Sequence, residues 1–280
     1  MRAIAALFLL LLPPLAHAAG HAGHAAPAWT DLPLIESVPG RDRALAAFRL
    51  RNLAADSVRA YAPGRQAPLP EGVRFKTETE EWDILAAAGR FSLQAGGVGN
   101  YHWLLAREES PESVTVASTA HYFSNPGPAP TAMLARMKSE LEIVPAPLPR
   151  EHNRYRENQE WDFLLRFRGE PLVGATLRFV SDSGGQATLT SGADGRIRLR
   201  FPDDVDAADG HAGHGRGAAN RFVLAVEHDA DGRHYLTSFN YSYAEDAYSG
   251  KSLAWGGGFL ALGGLLGLPL IVRRKEEQRG

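Results

Sequence analysis

Short segments in which apolar and polar residues alternate recur along most of this sequence, and turn-forming residues separate them. A period of two puts one set of side chains on a buried sheet face and the other set in solvent, so it predicts β-strands rather than helices. Many short strands of this kind favour an all-β fold built from sandwiches. The predicted strands are 47–53, 58–62, 91–95, 101–107, 114–123, 161–167, 175–181, 187–190, 196–201, 222–228 and 235–243.

A proline-rich segment, Pro145-Ala-Pro-Leu-Pro149, divides these strands into two groups. Closely spaced prolines make a backbone stiff and extended, so we expect residues 145–156 to link a first β-sandwich at 31–144 to a second at 157–245. The second group has the strand number and turn spacing of an immunoglobulin-like or transthyretin-like sandwich. One short helix is expected over residues 131–141.

The first 18 residues have the pattern of a secretory signal peptide. Met1-Arg2 gives a positive start, residues 3–12 are apolar, and Ala16 and Ala18 are small residues of the kind that precede a cleavage site. The apolar run is too short to span a bilayer. Cleavage after Ala18 would leave a histidine-containing segment, residues 19–30, at the start of the exported chain.

The other end of the chain predicts a membrane anchor. Residues 253–272 contain no charged side chain, and Arg273-Arg274-Lys275 follows at once. About 20 apolar residues suffice for a helix to cross a bilayer, and positive residues stay in the cytoplasm. We therefore expect one transmembrane helix, a cytoplasmic tail at 273–280, and the bulk of the chain in the periplasm at a bacterial inner membrane. A removable C-terminal sorting tail has a similar layout and is the alternative.

Composition excludes several classes of function. The formal net charge of -2 gives no basic field, so nucleic acid is not an expected partner. The chain has no cysteine, which rules out thiolate metal sites and leaves packed cores, rather than disulfides, to stabilise an exported protein. It has three methionines, one of them Met1 of the signal, so thioether sites for Cu(I) have little support.

The first candidate metal site is the run Ala19-Gly-His21-Ala-Gly-His24. If the exported chain begins at Ala19, its amine, two backbone amides and the His21 imidazole can occupy a square plane, with His24 beside them. Square-planar nitrogen ligation suits Cu(II) or Ni(II), and Cu(II) is held more tightly. Low-complexity filler is the competing interpretation of the same residues.

The second candidate site is the loop at 203–216. It contains four aspartates, among them Asp209, and the run His211-Ala-Gly-His214, which repeats the pattern of the amino-terminal segment. Carboxylates and imidazoles together can bind Ni(II), Co(II), Zn(II) or Cu(II). An acidic, glycine-rich loop is also typical of a solvated insertion, so both interpretations stay open.

The third candidate site is a pair of histidines on neighbouring predicted strands. If Pro111 and Glu112 are the two turn residues, His102 lies directly opposite His121. Opposed side chains have Cβ atoms about 4.5–5.5 Å apart, close enough to share one ion. A hydrogen-bonded or surface pair is the alternative, and a shift of one residue in register would separate the two rings.

Several stretches resemble one family of exported proteins. They are Leu141–Pro145, Arg168–Ala175 with the sequence Arg-Gly-Glu-Pro-Leu-Val-Gly-Ala, and Ala193–Leu199 with Ala-Asp-Gly-Arg; Tyr101–Ala106 and the strand Tyr235–Tyr243 fit the same pattern. The family is the periplasmic component of ABC-type cobalt/nickel transport, or nickel transport complex M-subunit family. The resemblance, over residues 30–245, implies a link to divalent cation uptake outside the cytoplasmic membrane, with a metal-transporter membrane subunit as partner and no catalytic residues.

Catalytic motifs are missing from the sequence. It contains no nucleophile elbow, no phosphate-binding loop and no paired histidines at helical spacing, so we do not expect an enzyme. Three hypotheses remain. The chain is an accessory protein that binds Ni(II) or Co(II) and presents the ion to a transporter, a structural or adhesion module of the cell envelope, or a copper-tolerance protein.

Overall fold

The computed structural model describes residues 29–40, 42, 44–63, 79–95, 101–123, 128–149, 154–205 and 219–246. Within these ranges regular structure is almost entirely β-strand, which confirms the expected all-β class. No helix in the described ranges has the length and hydropathy needed to cross a bilayer. The predicted signal peptide and the predicted span at 253–272 lie outside them.

The strands follow one another along the chain with one short helix between the seventh and the eighth. In order they are β1 (Leu34–Val38), β2 (Leu45–Arg51), β3 (Ser57–Pro63), β4 (Thr79–Leu85), β5 (Arg90–Gln94), β6 (Tyr101–Glu109), β7 (Ser113–Tyr122), α1 (Thr131–Ala135), β8 (Leu141–Pro145), β9 (Tyr155–Arg156), β10 (Glu160–Phe167), β11 (Glu170–Pro171), β12 (Thr176–Ser181), β13 (Gln186–Thr190), β14 (Arg196–Arg200), β15 (Ala219–Ala230) and β16 (Arg233–Ala244).

A nine-stranded central sheet organises the molecule. Its order is β13-β12-β15-β16-β7-β6-β3-β4, and β9 pairs with the end of β16. Strands β7 and β16 are parallel neighbours, with Ser113 opposite His234 and Thr119 opposite Asn240. The predicted ranges 31–144 and 157–245 therefore contribute to the same sheet.

A four-stranded sheet, formed by β8, β10, β11 and β14, covers one face of the central sheet. Their shared core is rich in aromatic rings: Trp103 of β6 stacks on Phe239 of β16 with ring centres 5.2 Å apart, and Phe163 of β10 lies beside the same ring. Strands from both predicted sandwiches thus bury their side chains in one cluster.

A three-stranded sheet, β1-β2-β5, covers the opposite face of the central sheet near β3, β6 and β7. Phe48 of β2 and Phe91 of β5 stack on each other and pack against Leu104 and Ala117. Strand β6 is consequently buried on both faces. Its odd-numbered residue Trp103 enters the aromatic core and its even-numbered residue Leu104 enters this second core.

The described residues of the predicted linker, 145–149 and 154–156, lie inside this arrangement. Pro145 ends β8, which pairs with β10, and Leu148 is fully buried. The Tyr101 hydroxyl donates a hydrogen bond to the carbonyl of Pro149. The expected extended link is not observed: residues 146–147 form a bend, and the segment packs against both groups of strands.

The predicted helix at 131–141 was too long. Helix α1 ends at Ala135, Arg136 is already extended, and Leu141 starts β8 by pairing with Phe167. Arg166 donates hydrogen bonds to the carbonyl oxygens of Ala135 and Arg136, so a side chain from β10 takes the acceptors that a further helical turn would have used.

Candidate metal centre

The structure confirms the predicted register of the histidine pair. Strands β6 and β7 are antiparallel, His102 is the direct partner of His121, and Ser110 bonds to Ser113 across the two-residue turn. The sequence pattern therefore placed these two imidazoles correctly relative to each other.

Aromatic rings surround both histidines. His102 is 1% exposed, and its ring lies edge-on to those of Trp82 and Phe123 at 5.9 and 5.2 Å. His121 lies edge-on to Phe48 and Phe123 at 5.4 and 4.5 Å. Edge-to-face packing of this kind is favourable without any ion. Two imidazoles alone make an incomplete ligand set, and in the part of the chain that the structure describes no group of three or more histidines and carboxylates is arranged to hold a metal.

The other predicted ligands lie outside the described residues. These are Ala19, His21 and His24 of the amino-terminal segment, and Asp209, His211 and His214 of the loop. The structure does describe the residues that flank both segments.

Described residues that flank the two histidine-bearing segments are in contact with each other. The Arg221 guanidinium lies over the Trp29 ring at 5.6 Å from its centre. Trp29 is five residues after His24, and Arg221 is seven residues after His214. Trp29 also packs with Leu32 against Val223 of β15, which fixes its position on the central sheet.

Arg221 is held from two further sides. Its Nη1 atom lies 2.6 Å from Glu36 of β1, and its Nε atom lies 2.7 Å from Asp182 at the end of β12. Burial alone would raise the pKa of Glu36, but hydrogen bonds from Arg49 and Arg51 keep that pKa below its usual value, so the carboxylate stays ionised opposite Arg221.

A polar network anchors the start of the loop. Asp204 accepts hydrogen bonds from the Tyr243 hydroxyl at 2.5 Å, from Asn220 at 3.1 Å and from Ser183 at 2.7 Å. Burial and the bond to Asp204 both raise the pKa of Tyr243. Because three donors already hold its carboxylate, we assign Asp204 to anchoring the loop, which leaves the later aspartates as candidate ligands.

A buried ion cluster was not apparent from the sequence. Glu142 of β8 lies 2.6 Å from Arg166 and 3.5 Å from Lys138, and all three side chains are shielded from solvent. Burial lowers the pKa of Lys138 to about 8. Lys138 and Glu142 are four residues apart, a spacing that suggests a helix, whereas Arg166 is distant in sequence and no local pattern points to it.

An open groove of about 680 Å³ runs beside this cluster, along β3, β4 and β6. Its charged side chains pair with one another: Arg59 with Asp83, Arg107 with Glu140, and Arg136 with Glu81. All three ion pairs are at least partly exposed to solvent. We assign the groove no ligand.

Comparisons with known proteins leave the family open. No family model matches the sequence, and no curated protein matches it. One similar solved structure is a two fibronectin type-III domain segment from chicken tenascin, with 12% sequence identity and a TM-score of 0.21, covering 75% of this chain and 98% of that chain. A TM-score of this size supports no inference, and none of the comparisons concerns nickel or cobalt.

Proposed function

We propose that this protein is a non-catalytic accessory of divalent metal uptake, exported to the periplasm and held at the bacterial inner membrane by residues 253–272. Its β-sheet fold displays histidine-bearing segments that bind Ni(II) or Co(II) and present the ion to a membrane transporter subunit. The sequence resemblance to the cobalt/nickel family motivates this proposal.

The contact between Trp29 and Arg221 is the observation that carries the proposal. An extended chain covers at most about 3.5 Å per residue, so His24 lies within about 17 Å of Trp29 and His214 within about 24 Å of Arg221. The ring and the guanidinium are in contact. The imidazoles of the two segments are therefore within reach of one ion.

Ligand chemistry supports the same metals. An unblocked Ala19 amine with His21 offers nitrogen donors in a plane, while His211, His214 and Asp209 add imidazoles and a carboxylate. Such borderline donors bind Co(II), Ni(II) and Cu(II) with increasing affinity. A nickel or cobalt role thus depends on which ion is available outside the membrane, and Cu(II) is the expected competitor.

Metal titration of the full chain, purified without a histidine tag in mild detergent, tests the proposal. We compare the wild type with His21→Ala/His24→Ala, with His211→Ala/His214→Ala, and with all four substitutions together, by isothermal titration with Ni(II), Co(II) and Cu(II). Mass spectrometry of the amino terminus establishes whether the exported chain begins at Ala19. If the segments share one ion, each double variant loses most of the affinity for that ion. If they act separately, each double variant binds one ion fewer per chain than the wild type.

The matched control removes two histidines at the turn of the β15–β16 hairpin, whereas Arg221 lies near its other end. His228 packs on Phe167 and His234 lies 2.8 Å from Asp229, so His228→Ala/His234→Ala should leave Ni(II) binding unchanged. A wild type that binds no more Ni(II) than the fourfold variant would falsify the proposal and favour a structural module of the envelope. Tight Cu(II) binding with no measurable Ni(II) or Co(II) binding would instead favour copper tolerance.

A further inference from the structure

The two edge strands of the central sheet differ in charge. Strand β4 forms one edge and carries Glu80, Glu81 and Asp83. Strand β13 forms the other edge with the sequence Gln-Ala-Thr-Leu-Thr, which contains no charged residue and no proline. Charges and prolines are what usually keep an exposed strand edge from pairing with another chain, so β13 lacks the protection that β4 has.

The outer side of β13 has no strand partner within the described ranges. Its inner side pairs with β12 along its whole length, from Gln186 opposite Val180 to Thr190 opposite Thr176. Among the described residues no other strand pairs with it, and four of its five residues are exposed. The fifth, Leu189, is half-buried at the margin of the aromatic core.

We propose that β13 pairs in antiparallel fashion with β13 of a second copy of this chain, so that two central sheets join into one. A two-fold axis at Thr188 would set Thr188 opposite its own copy, Ala187 opposite Leu189, and Gln186 opposite Thr190. This register puts uncharged polar pairs, centred on the two β-branched threonines, on one face and apolar pairs on the other. A cross-strand pair of threonines is favourable.

Charge identifies a second copy as the occupant. A symmetric interface places each residue near its own equivalent, so a charged edge such as β4 would bring like charges together. The uncharged β13 meets no such repulsion. A partner recognised through acidic or basic residues would find no counter-charge on this strand. The inference is independent of metal binding.

Disulfide trapping tests this pairing directly because the chain has no cysteine of its own. In the full chain, purified in mild detergent, Thr188→Cys should oxidise to a covalent dimer, since opposed Cβ atoms in an antiparallel pair come close to disulfide distance. Leu85→Cys on β4 is the control: Leu85 is 83% exposed, so collision alone would cross-link it at least as well. We expect most of the Thr188→Cys variant, and little of the Leu85→Cys variant, to become dimeric.

A charge substitution provides an independent measurement. Thr188→Lys would oppose two lysines at the two-fold axis, so the wild type should be dimeric by light scattering and this variant monomeric, with unchanged circular dichroism because residue 188 is exposed. Leu85→Lys should stay dimeric. A monomeric wild type, or equal cross-linking at positions 188 and 85, overturns the proposal; both results are expected if residues 206–218 of the same chain cover β13.

Discussion

The Asn240 carboxamide makes both hydrogen bonds to the backbone of Ile35: its Oδ1 atom accepts from the Ile35 amide and its Nδ2 atom donates to the Ile35 carbonyl, each at 2.9 Å. Asn240 lies on β16 of the central sheet and Ile35 on β1 of the three-stranded sheet. Where the two sheets are in contact, the Asn240 side chain thus makes the two backbone hydrogen bonds that a neighbouring strand would otherwise make with Ile35. The Ser238 hydroxyl adds a bond to the Pro33 carbonyl.

Asn240→Ala should therefore loosen the three-stranded sheet. The substitution leaves an amide and a carbonyl of a partly buried backbone without partners, which costs about 2 kcal/mol of unfolding free energy. Urea denaturation measures the loss. Gln94→Ala, on an exposed position of β5, should change the unfolding free energy by less than about 0.5 kcal/mol. Equal effects of the two substitutions would show that the Asn240 bonds do not stabilise the contact.

Two glycines with the same backbone conformation should differ sharply when replaced by alanine. Gly195 has φ +72 and Gly232 has φ +73. A Cβ atom on Gly195 would lie 2.6 Å from the Leu165 carbonyl oxygen, whereas one on Gly232 meets no described atom within 4 Å. The left-handed conformation costs both variants about 1 kcal/mol.

Gly195→Ala should consequently lower the unfolding free energy by about 2 kcal/mol more than Gly232→Ala, because the Leu165 backbone must shift. Thermal or urea denaturation of the two variants gives the comparison. If both lose the same amount, backbone conformation alone accounts for the glycine at 195.

Tyrosine-to-phenylalanine substitutions should have different effects on stability at two buried tyrosines that contact the same ring. Tyr155 and Tyr243 both contact the Phe201 ring, at 5.0 and 5.2 Å. The Tyr243 hydroxyl bonds to Asp204, whereas no described residue accepts or donates a hydrogen bond at the Tyr155 hydroxyl, and burial raises the pKa of Tyr155 well above its usual value.

Tyr155→Phe should leave the unfolding free energy unchanged or raise it, because it removes a desolvated polar group. Tyr243→Phe should lower it by about 2 kcal/mol through the lost bond to a carboxylate. Denaturation curves recorded side by side test both expectations. A large loss in Tyr155→Phe would mean that its hydroxyl has a partner after all.

Local patterns in the sequence predicted most of the strands, although not β1, β4, β8, β9 and β11, and they predicted the register of β6 and β7. Alternation and a two-residue turn are properties of neighbouring residues. The sequence analysis did not predict that a three-stranded sheet covers the second face of the central sheet, although one feature of the sequence indicates it. Residues 101–106 are an almost continuous apolar run, which indicates a strand buried on both faces. Strand β4 was missed because Glu80, Glu81 and Asp83 hide the alternation of its apolar residues.

Contacts between distant residues could not be predicted in this way. The parallel pairing of β7 with β16 joins segments about 120 residues apart, and no residue type at Ser113 or His234 specifies the other. The same holds for Trp29 and Arg221, which bring together the flanks of the two histidine-bearing segments. Their residue types are visible in the sequence, whereas their proximity arises only when the segment before β1 packs on β15.

The buried ion cluster should make stability depend on pH in the alkaline range. Lys138 has a fully buried side chain, donates hydrogen bonds to the carbonyls of Met133 and Arg136, and lies over the Trp103 ring. Burial lowers its pKa to about 8 from the usual 10.5, and the nearby Glu142 carboxylate only partly offsets this. In the unfolded chain the amine has its usual pKa.

Between pH 8 and 10.5 the unfolded chain thus binds one proton that the folded chain has released, and the unfolding free energy rises with pH. The rise attributable to Lys138 is about 3 kcal/mol. Lys138→Met keeps most of the aliphatic side chain and removes the amine. The difference in unfolding free energy between wild type and variant therefore isolates the contribution of the amine. We expect that difference to be constant below pH 8 and to increase in favour of the wild type up to pH 10.5. A difference that stays flat across this range would show that the buried amine keeps its ordinary pKa and that Glu142 compensates its burial fully.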